Sequence, residues 1–108
     1  MRVLLDNCVR SDLKPDFAPL DILHTLDLGW GELRNGDLLR QANERFDILV
    51  TVDKNMRFQS NLRGMRLRVA VLDVKGNDST QLIAATQALL SRLERLPEGE
   101  FTVVTLES

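Results

Sequence analysis

The run RVAVLDV, residues 68 to 74, is aliphatic at five of its seven positions. A strand covered by helices on both faces has this composition, whereas a strand with one solvent-exposed face alternates apolar and polar residues. Similar apolar runs occur at residues 2 to 5 and 47 to 52. We therefore predict an α/β fold, with a mainly parallel central sheet of four to five strands flanked by helices.

The segments between these runs have helical patterns. The predicted helical segments are residues 7 to 14, 37 to 46 and 78 to 96. The first is one or two turns that Pro15 interrupts, because proline has no N–H to donate within a helix. The last has an apolar stripe at helical spacing, Asp78 or Ser79 as its N-cap, and Pro97 just beyond its end.

Two further strands complete the alternation. Residues 21 to 28 alternate in polarity, and residues 101 to 107 are rich in β-branched side chains, which suits a strand at the edge of the sheet. Helices that connect parallel strands almost always form right-handed crossovers, and we expect that hand here. Ligands of such sheets bind beyond the carboxyl ends of the strands.

Composition limits the class of protein. A chain of 108 residues, with 44% hydrophobic residues, 28% charged residues and a net charge of −2, is predicted to form one domain over residues 1 to 108 with no membrane span. Its single cysteine, Cys8, excludes an internal disulfide and fits a reducing cytoplasm. We expect that cysteine to be half-buried and inert.

Three aspartates are predicted at the same end of the sheet. Asp6 and Asp53 each follow an apolar run, and Asp37 opens a helix. Any one of them alone is best explained as a helix cap. Carboxylates that converge repel one another unless a cation lies between them, and oxygen ligands suit Mg²⁺ or Mn²⁺. Together they predict a metal site suited to cleaving a phosphodiester.

A basic segment follows the third of these aspartates. Residues 54 to 72 contain no acidic residue, although the chain as a whole is acidic. The positive charges in this segment are Lys54, Arg57, Arg63, Arg66 and Arg68. For such a segment alone a solvated surface is the better explanation, but beside a metal site it predicts contact with a polyanion such as RNA.

Four sequence blocks carry a family resemblance. They are MRVLLDN, HTLDLGWGELRNGDLLRQA, DILVTVDKNMRF and RVAVLDV. In order and spacing they resemble the compact PIN-like family, in the branch similar to Mut-seven C-terminal domains and toxin-type ribonucleases. The resemblance covers roughly residues 1 to 75. Its most specific part is a hydrophobic run followed by Thr51, Asp53, Lys54 and the aromatic Phe58.

The resemblance implies a ribonuclease that depends on Mg²⁺ or Mn²⁺. Carried onto this chain, Asp6, Asp37 and Asp53 become the catalytic metal ligands. The basic segment supplies Lys54, Arg57, Arg63 and Arg66 as the candidate RNA contacts. The resemblance also suggests the toxin of a toxin–antitoxin pair, so candidate partners are RNA, an antitoxin protein and a second copy of the chain.

This chain departs from the family pattern at two positions. Asn7 stands where LLDE is common, and Asn55 stands where DKD would supply another carboxylate. Asn55 and Asp73 are further candidate ligands. One alternative is therefore a PIN-like binding module with weakened catalysis. Another is a phosphoacceptor receiver-like domain, which also has aspartates after its first and third strands but needs a lysine after its fifth, absent here.

Overall fold

The central element is a five-stranded sheet in which every neighbouring pair of strands is parallel. The computed structural model describes residues 1–75 and 78–106. The strands are β1 (Arg2–Leu5), β2 (Asp21–His24), β3 (Ile48–Thr51), β4 (Arg68–Asp73) and β5 (Phe101–Thr105). Their order across the sheet is β2-β1-β3-β4-β5, which confirms the predicted parallel α/β architecture and places β5 at an edge.

Helices cover both faces of this sheet. The α-helices are α1 (Asn35–Arg45), α2 (Met56–Gln59) and α3 (Ser79–Leu90), and the 3₁₀ helices are Ser11–Phe17, Thr25–Leu28 and Leu93–Arg95. Asp78 caps α3, as predicted, by accepting a hydrogen bond from the backbone N–H of Gln81 at 3.1 Å. None of the helices in the described part of the chain is long and apolar enough to cross a membrane.

The hydrophobic core lies in two layers because successive side chains of a strand point to opposite faces. Val3 and Leu5 of β1 pack in one layer with the Ser11–Phe17 helix and α3. Leu4 packs in the other layer with α1 and α2. All three of these β1 residues are fully buried, as expected for a strand with both faces covered.

The position of α3 corrects the expectation of uniformly right-handed crossovers. The chain moves from β1 to β2 in one direction and from β4 to β5 in the other, yet both connections cross the same face of the sheet. Two such connections must have opposite hands. The connections through α1 and α2 run across the sheet in the same direction as the β4–β5 connection, but they cross the other face. They therefore have the same hand as the β1–β2 connection. The crossover through α3 is therefore the exceptional one.

Several predicted boundaries of helices and strands were wrong. The strand expected over residues 21 to 28 ends at His24, whose Nδ1 accepts from the N–H of Leu26 at 3.1 Å, while Asp27 Oδ2 accepts from the N–H of His24 at 2.9 Å. This reciprocal capping starts the Thr25–Leu28 helix.

The first helix runs over Ser11–Phe17 rather than residues 7 to 14, and Pro15 lies inside it. A short 3₁₀ helix tolerates this proline, whose carbonyl accepts from the N–H of Ala18 at 3.2 Å.

The helix predicted over residues 78 to 96 ends at Leu90, where the hydroxyl of Ser91 donates back to the carbonyl of Ala88. The last strand ends at Thr105, and residue 107 of the predicted strand lies outside the described residues.

Candidate functional site

Asp6 and Asp53 lie beyond the carboxyl ends of the adjacent strands β1 and β3. Asp6 directly follows β1, and its N–H extends the strand pairing by donating to the carbonyl of Val50 at 2.9 Å. Asp53 is two residues beyond the end of β3. The chain leaves β1 toward one face and β3 toward the other, which makes this the switch point where open parallel sheets bind ligands.

Asp6 is a buried carboxylate, with 8% of its surface exposed. Its Oδ1 accepts from the N–H of Asn7 at 2.7 Å, and its Oδ2 accepts from the hydroxyl of Thr51 at 2.7 Å. A buried charge needs such donors, because removal from water is otherwise costly. These two hydrogen bonds hold the carboxylate in one orientation at the edge of the sheet.

The hydroxyl of Thr51 connects the two aspartates. While it donates to Asp6, it accepts a hydrogen bond from the N–H of Asp53 at 3.0 Å. Thr51 is fully buried at the end of β3. Beyond it, Oδ1 of Asp53 accepts from the N–H of Asn55 at 3.0 Å. Asn55 thus acts here through its backbone, and its side chain is exposed.

Cys8 is a second side chain that contacts Asp6. Its Sγ donates to Oδ2 of Asp6 at 3.4 Å and lies 3.4 Å from the hydroxyl oxygen of Thr51. Burial of the sulfur raises the pKa of Cys8, and the negative charge of Asp6 raises it further. The group therefore remains a thiol at neutral pH. The residue as a whole is exposed, so the expectation of a half-buried cysteine was wrong.

Asp37 lies in the first turn of α1, where it forms an ion pair with Arg40. With Gln41 and Glu44 it forms an exposed face of that helix. Because α1 leads into β3, its first turn lies toward the carboxyl edge of the sheet. Within the described residues, however, no hydrogen bond connects Asp37 to Asp6 or Asp53.

Asp73 is the last residue of β4, the strand next to β3. Its Oδ1 lies 3.0 Å from Nζ of Lys54, and both side chains are about half exposed. The structure thus pairs two predicted site residues with each other: a candidate ligand and a candidate RNA contact. Lys54 thus neutralises the carboxylate at the end of the strand next to β3.

The other basic side chains differ in their partners. The guanidinium of Arg57 lies over the ring of Phe58, 4.5 Å from its centroid. Arg68 donates to the carbonyl of Leu96 at 3.0 Å and is only partly exposed. Arg63 and Arg66 are exposed, and no ion pair involves either side chain within the described residues.

The acidic residues provide two carboxylates with oxygen positions still open. Among residues 1–75 and 78–106, no three His, Cys, Asp or Glu side chains are grouped so as to hold a metal ion. Each carboxylate oxygen can accept about two hydrogen bonds. Oδ1 of Asp6 and Oδ1 of Asp53 each accept one. A magnesium ion commonly takes one or two protein carboxylates and completes its shell with water, so two carboxylates are enough in number for Mg²⁺ or Mn²⁺.

Sequence reasoning missed the connecting role of Thr51 and the contact made by Cys8. A signal for Thr51 was present, since it is the only polar residue of β3, which is otherwise aliphatic. A hydroxyl at the buried end of such a strand must find a partner. The contact of Cys8 with Asp6 had no comparable signal, because it depends on how the chain turns after β1.

Comparisons of the chain with protein-family models, with curated proteins and with solved structures gave no match.

Proposed function

We propose that this protein is a PIN-like ribonuclease that uses Mg²⁺ or Mn²⁺ to hydrolyse RNA phosphodiesters. One observation supports this most. Asp6 and Asp53 lie beyond the ends of adjacent parallel strands, and the hydroxyl of Thr51 connects the carboxylate of Asp6 to the backbone N–H of Asp53. A ligand site at the switch point of an open sheet is the expected place for an active centre.

In this proposal, Asp6 and Asp53 hold the cation, and Asp37 is the third acidic residue at the same edge. A divalent ion so bound lowers the pKa of a coordinated water and neutralises charge on the phosphate. The protein's own contribution is orientation. The hydroxyl of Thr51 and the N–H of Asn7 hold the carboxylate of Asp6, as outer-shell partners do in many metal sites.

Charge supports RNA as the substrate. The exposed basic residues that follow Asp53 are Lys54, Arg57, Arg63 and Arg66, whereas Arg68 lies at the amino end of β4 and pairs with Glu98. Such a surface attracts a polyanion with an affinity that falls as salt rises. We further propose a cytoplasmic location, in keeping with the single Cys8, and a toxin role with an antitoxin partner, which follows from the family resemblance alone.

The decisive experiment compares the wild-type protein with Asp53→Asn on single-stranded and structured RNA. Each protein is incubated with Mn²⁺, Mg²⁺ or EDTA, and the products are resolved on a denaturing gel. We expect cleavage by the wild type with metal, none with EDTA, and a large loss in Asp53→Asn. Asp21→Asn, an exposed aspartate at the amino end of β2, is the matched control and should retain activity. Equal cleavage by Asp53→Asn and wild type would exclude the mechanism.

One observation favours a receiver-like phosphoacceptor instead. The strand order is that of flavodoxin-like sheets, and Asp6 and Asp53 follow the first and third strands. With uniform right-handed crossovers, the helix between β4 and β5 would share a face with α1 and α2, but α3 lies on the other face. Labelling of Asp53 by acetyl phosphate would nevertheless favour the receiver, and an unlabelled protein would favour the nuclease.

A further inference from the structure

Phe58 is the most exposed large hydrophobic side chain in the described part of the chain, with 73% of its surface in water. It lies in α2, five residues after Asp53. The turn between them is closed by a hydrogen bond of 3.3 Å from the N–H of Met56 to the carbonyl of Asp53. The aromatic ring therefore lies at the same edge of the sheet as the proposed metal site.

The ring of Phe58 is covered on one side by a cation. The guanidinium carbon of Arg57 lies 4.5 Å from its centroid. A cation in this position is attracted to the face of the ring. With 73% of the side chain in water, the remainder of the ring is open to a ligand.

The segment that contains this ring is basic. Residues 54 to 72 contain no acidic residue. An open cleft of about 490 Å³ lies beside α2, between the start of α1 and the segment that follows α2. The charged residues that line it are Arg40 and Arg63. Arg40 is partly neutralised by Asp37, whereas no ion pair involves Arg63 within the described residues.

We propose that Phe58 is a stacking platform for an unpaired base of single-stranded RNA, whose phosphates lie along the adjoining cleft. This inference rests on the proposed function, which it deepens by naming the form of the substrate. Stacking on an aromatic ring combined with a basic groove is the usual means of holding a single strand without reading its sequence.

The chemistry of the surface favours a single strand over other ligands. Bases in a duplex are already stacked on one another and cannot cover an external ring. A protein partner would need several apolar side chains around a central anchor, since interface cores are depleted of charge. Phe58 is the only exposed large hydrophobic residue described between residues 54 and 66, and its neighbours there include arginines.

Binding in EDTA tests this independently of cleavage. A fluorescein-labelled single-stranded RNA of mixed sequence is titrated with wild type, Phe58→Ala, Phe58→Leu and Phe58→Tyr, and anisotropy is recorded. Phe58→Ala should weaken binding by roughly fivefold to a hundredfold, the range found for loss of one stacked base. Phe58→Leu keeps the apolar bulk without the flat ring and should be similarly weak. Phe58→Tyr should bind like the wild type.

Two further measurements use the same proteins. Affinity for a duplex of the same sequence should be unchanged in Phe58→Ala, because that ligand offers no free base. Arg63→Gln should make the dependence of log affinity on log salt less steep by about 0.7, as expected for one lost phosphate contact with a single strand. Since the ring is exposed, thermal unfolding of the Phe58 variants should match that of the wild type.

The proposal is overturned if Phe58→Ala binds single-stranded RNA as tightly as the wild type, or if the wild type does not bind it. It is also overturned if the substitution changes only the sedimentation of the protein, since the ring would then contact a second copy. These results are distinguishable from failure of the nuclease proposal, which is decided by Asp53→Asn in the presence of metal. A stacking platform without cleavage would leave a single-strand binding module.

Discussion

The hydroxyl of Thr51 donates to Oδ2 of Asp6 across 2.7 Å, between the carboxyl ends of two adjacent parallel strands. Both residues are buried. The same hydroxyl accepts from the backbone of Asp53, so one side chain sets the position of both aspartates. The site thus depends on a residue that is not itself a candidate metal ligand.

Replacement of Thr51 by valine keeps its shape and removes this hydroxyl. Asp6 then loses a donor and the N–H of Asp53 loses its acceptor, which should lower the free energy of unfolding by about 1–3 kcal/mol. Urea denaturation measures this change. Thr51→Ser, which keeps the hydroxyl, should retain RNA cleavage better than Thr51→Val. A stable and fully active Thr51→Val protein would contradict the orienting role.

Asp37 provides a test of the third proposed ligand. We expect Asp37→Asn to weaken metal-dependent cleavage roughly tenfold or more, because a ligand near the edge of the sheet is lost. The half-saturating concentration of Mn²⁺ should rise accordingly in cleavage assays. Glu44→Gln lies on the same exposed face of α1, about two turns away, and is the control that should leave activity unchanged. If both variants behave alike, Asp37 is not a ligand.

The ion pair between Lys54 and Asp73 should matter more for RNA affinity than for stability. Both groups are about half exposed, so either single substitution should change the free energy of unfolding by less than about 1 kcal/mol. Asp73→Asn releases the positive charge of Lys54 and should strengthen RNA binding at low salt, whereas Lys54→Gln should weaken it. Anisotropy titrations in EDTA measure both affinities. Weaker binding by Asp73→Asn, or tighter binding by Lys54→Gln, would contradict this prediction.

Asp27 makes the protein's stability depend on pH in the acid range. The hydrogen bond from Lys14, together with the one from the N–H of His24, lowers the pKa of Asp27 below its ordinary value of 3.8. A lowered pKa in the folded state adds stability above about pH 4, and this stability is lost as the pH falls through the folded-state value.

Asp27→Asn should therefore lower the Tm at pH 7, and the gap to the wild type should close below about pH 4. Thermal unfolding over a pH series tests this. Lys14→Gln removes the largest cause of the shift and should show the same trend, more weakly. A gap that stays constant down to pH 2 would show that the charge of Asp27 is not responsible.

Local sequence patterns predicted which segments form the strands and α1. The aliphatic runs at residues 2 to 5, 47 to 52 and 68 to 74 became parallel strands, because a strand covered on both faces needs apolar residues on both. The helical stripe that begins near Asp37 became α1 for the same kind of reason. Asp6 and Asp53 follow their strands as predicted.

The sequence by itself thus determined an α/β chain with parallel strands and aspartates beyond the ends of two of them. Only the tertiary structure decided that β1 and β3 are neighbours, that α3 lies on the opposite face of the sheet from α1 and α2, and that Lys54 pairs with Asp73. Periodicity reports which faces of an element are buried, but it does not identify what buries them. The connection of Asp6 to Thr51 spans 45 residues, and contacts over such a separation arise from packing of the whole sheet.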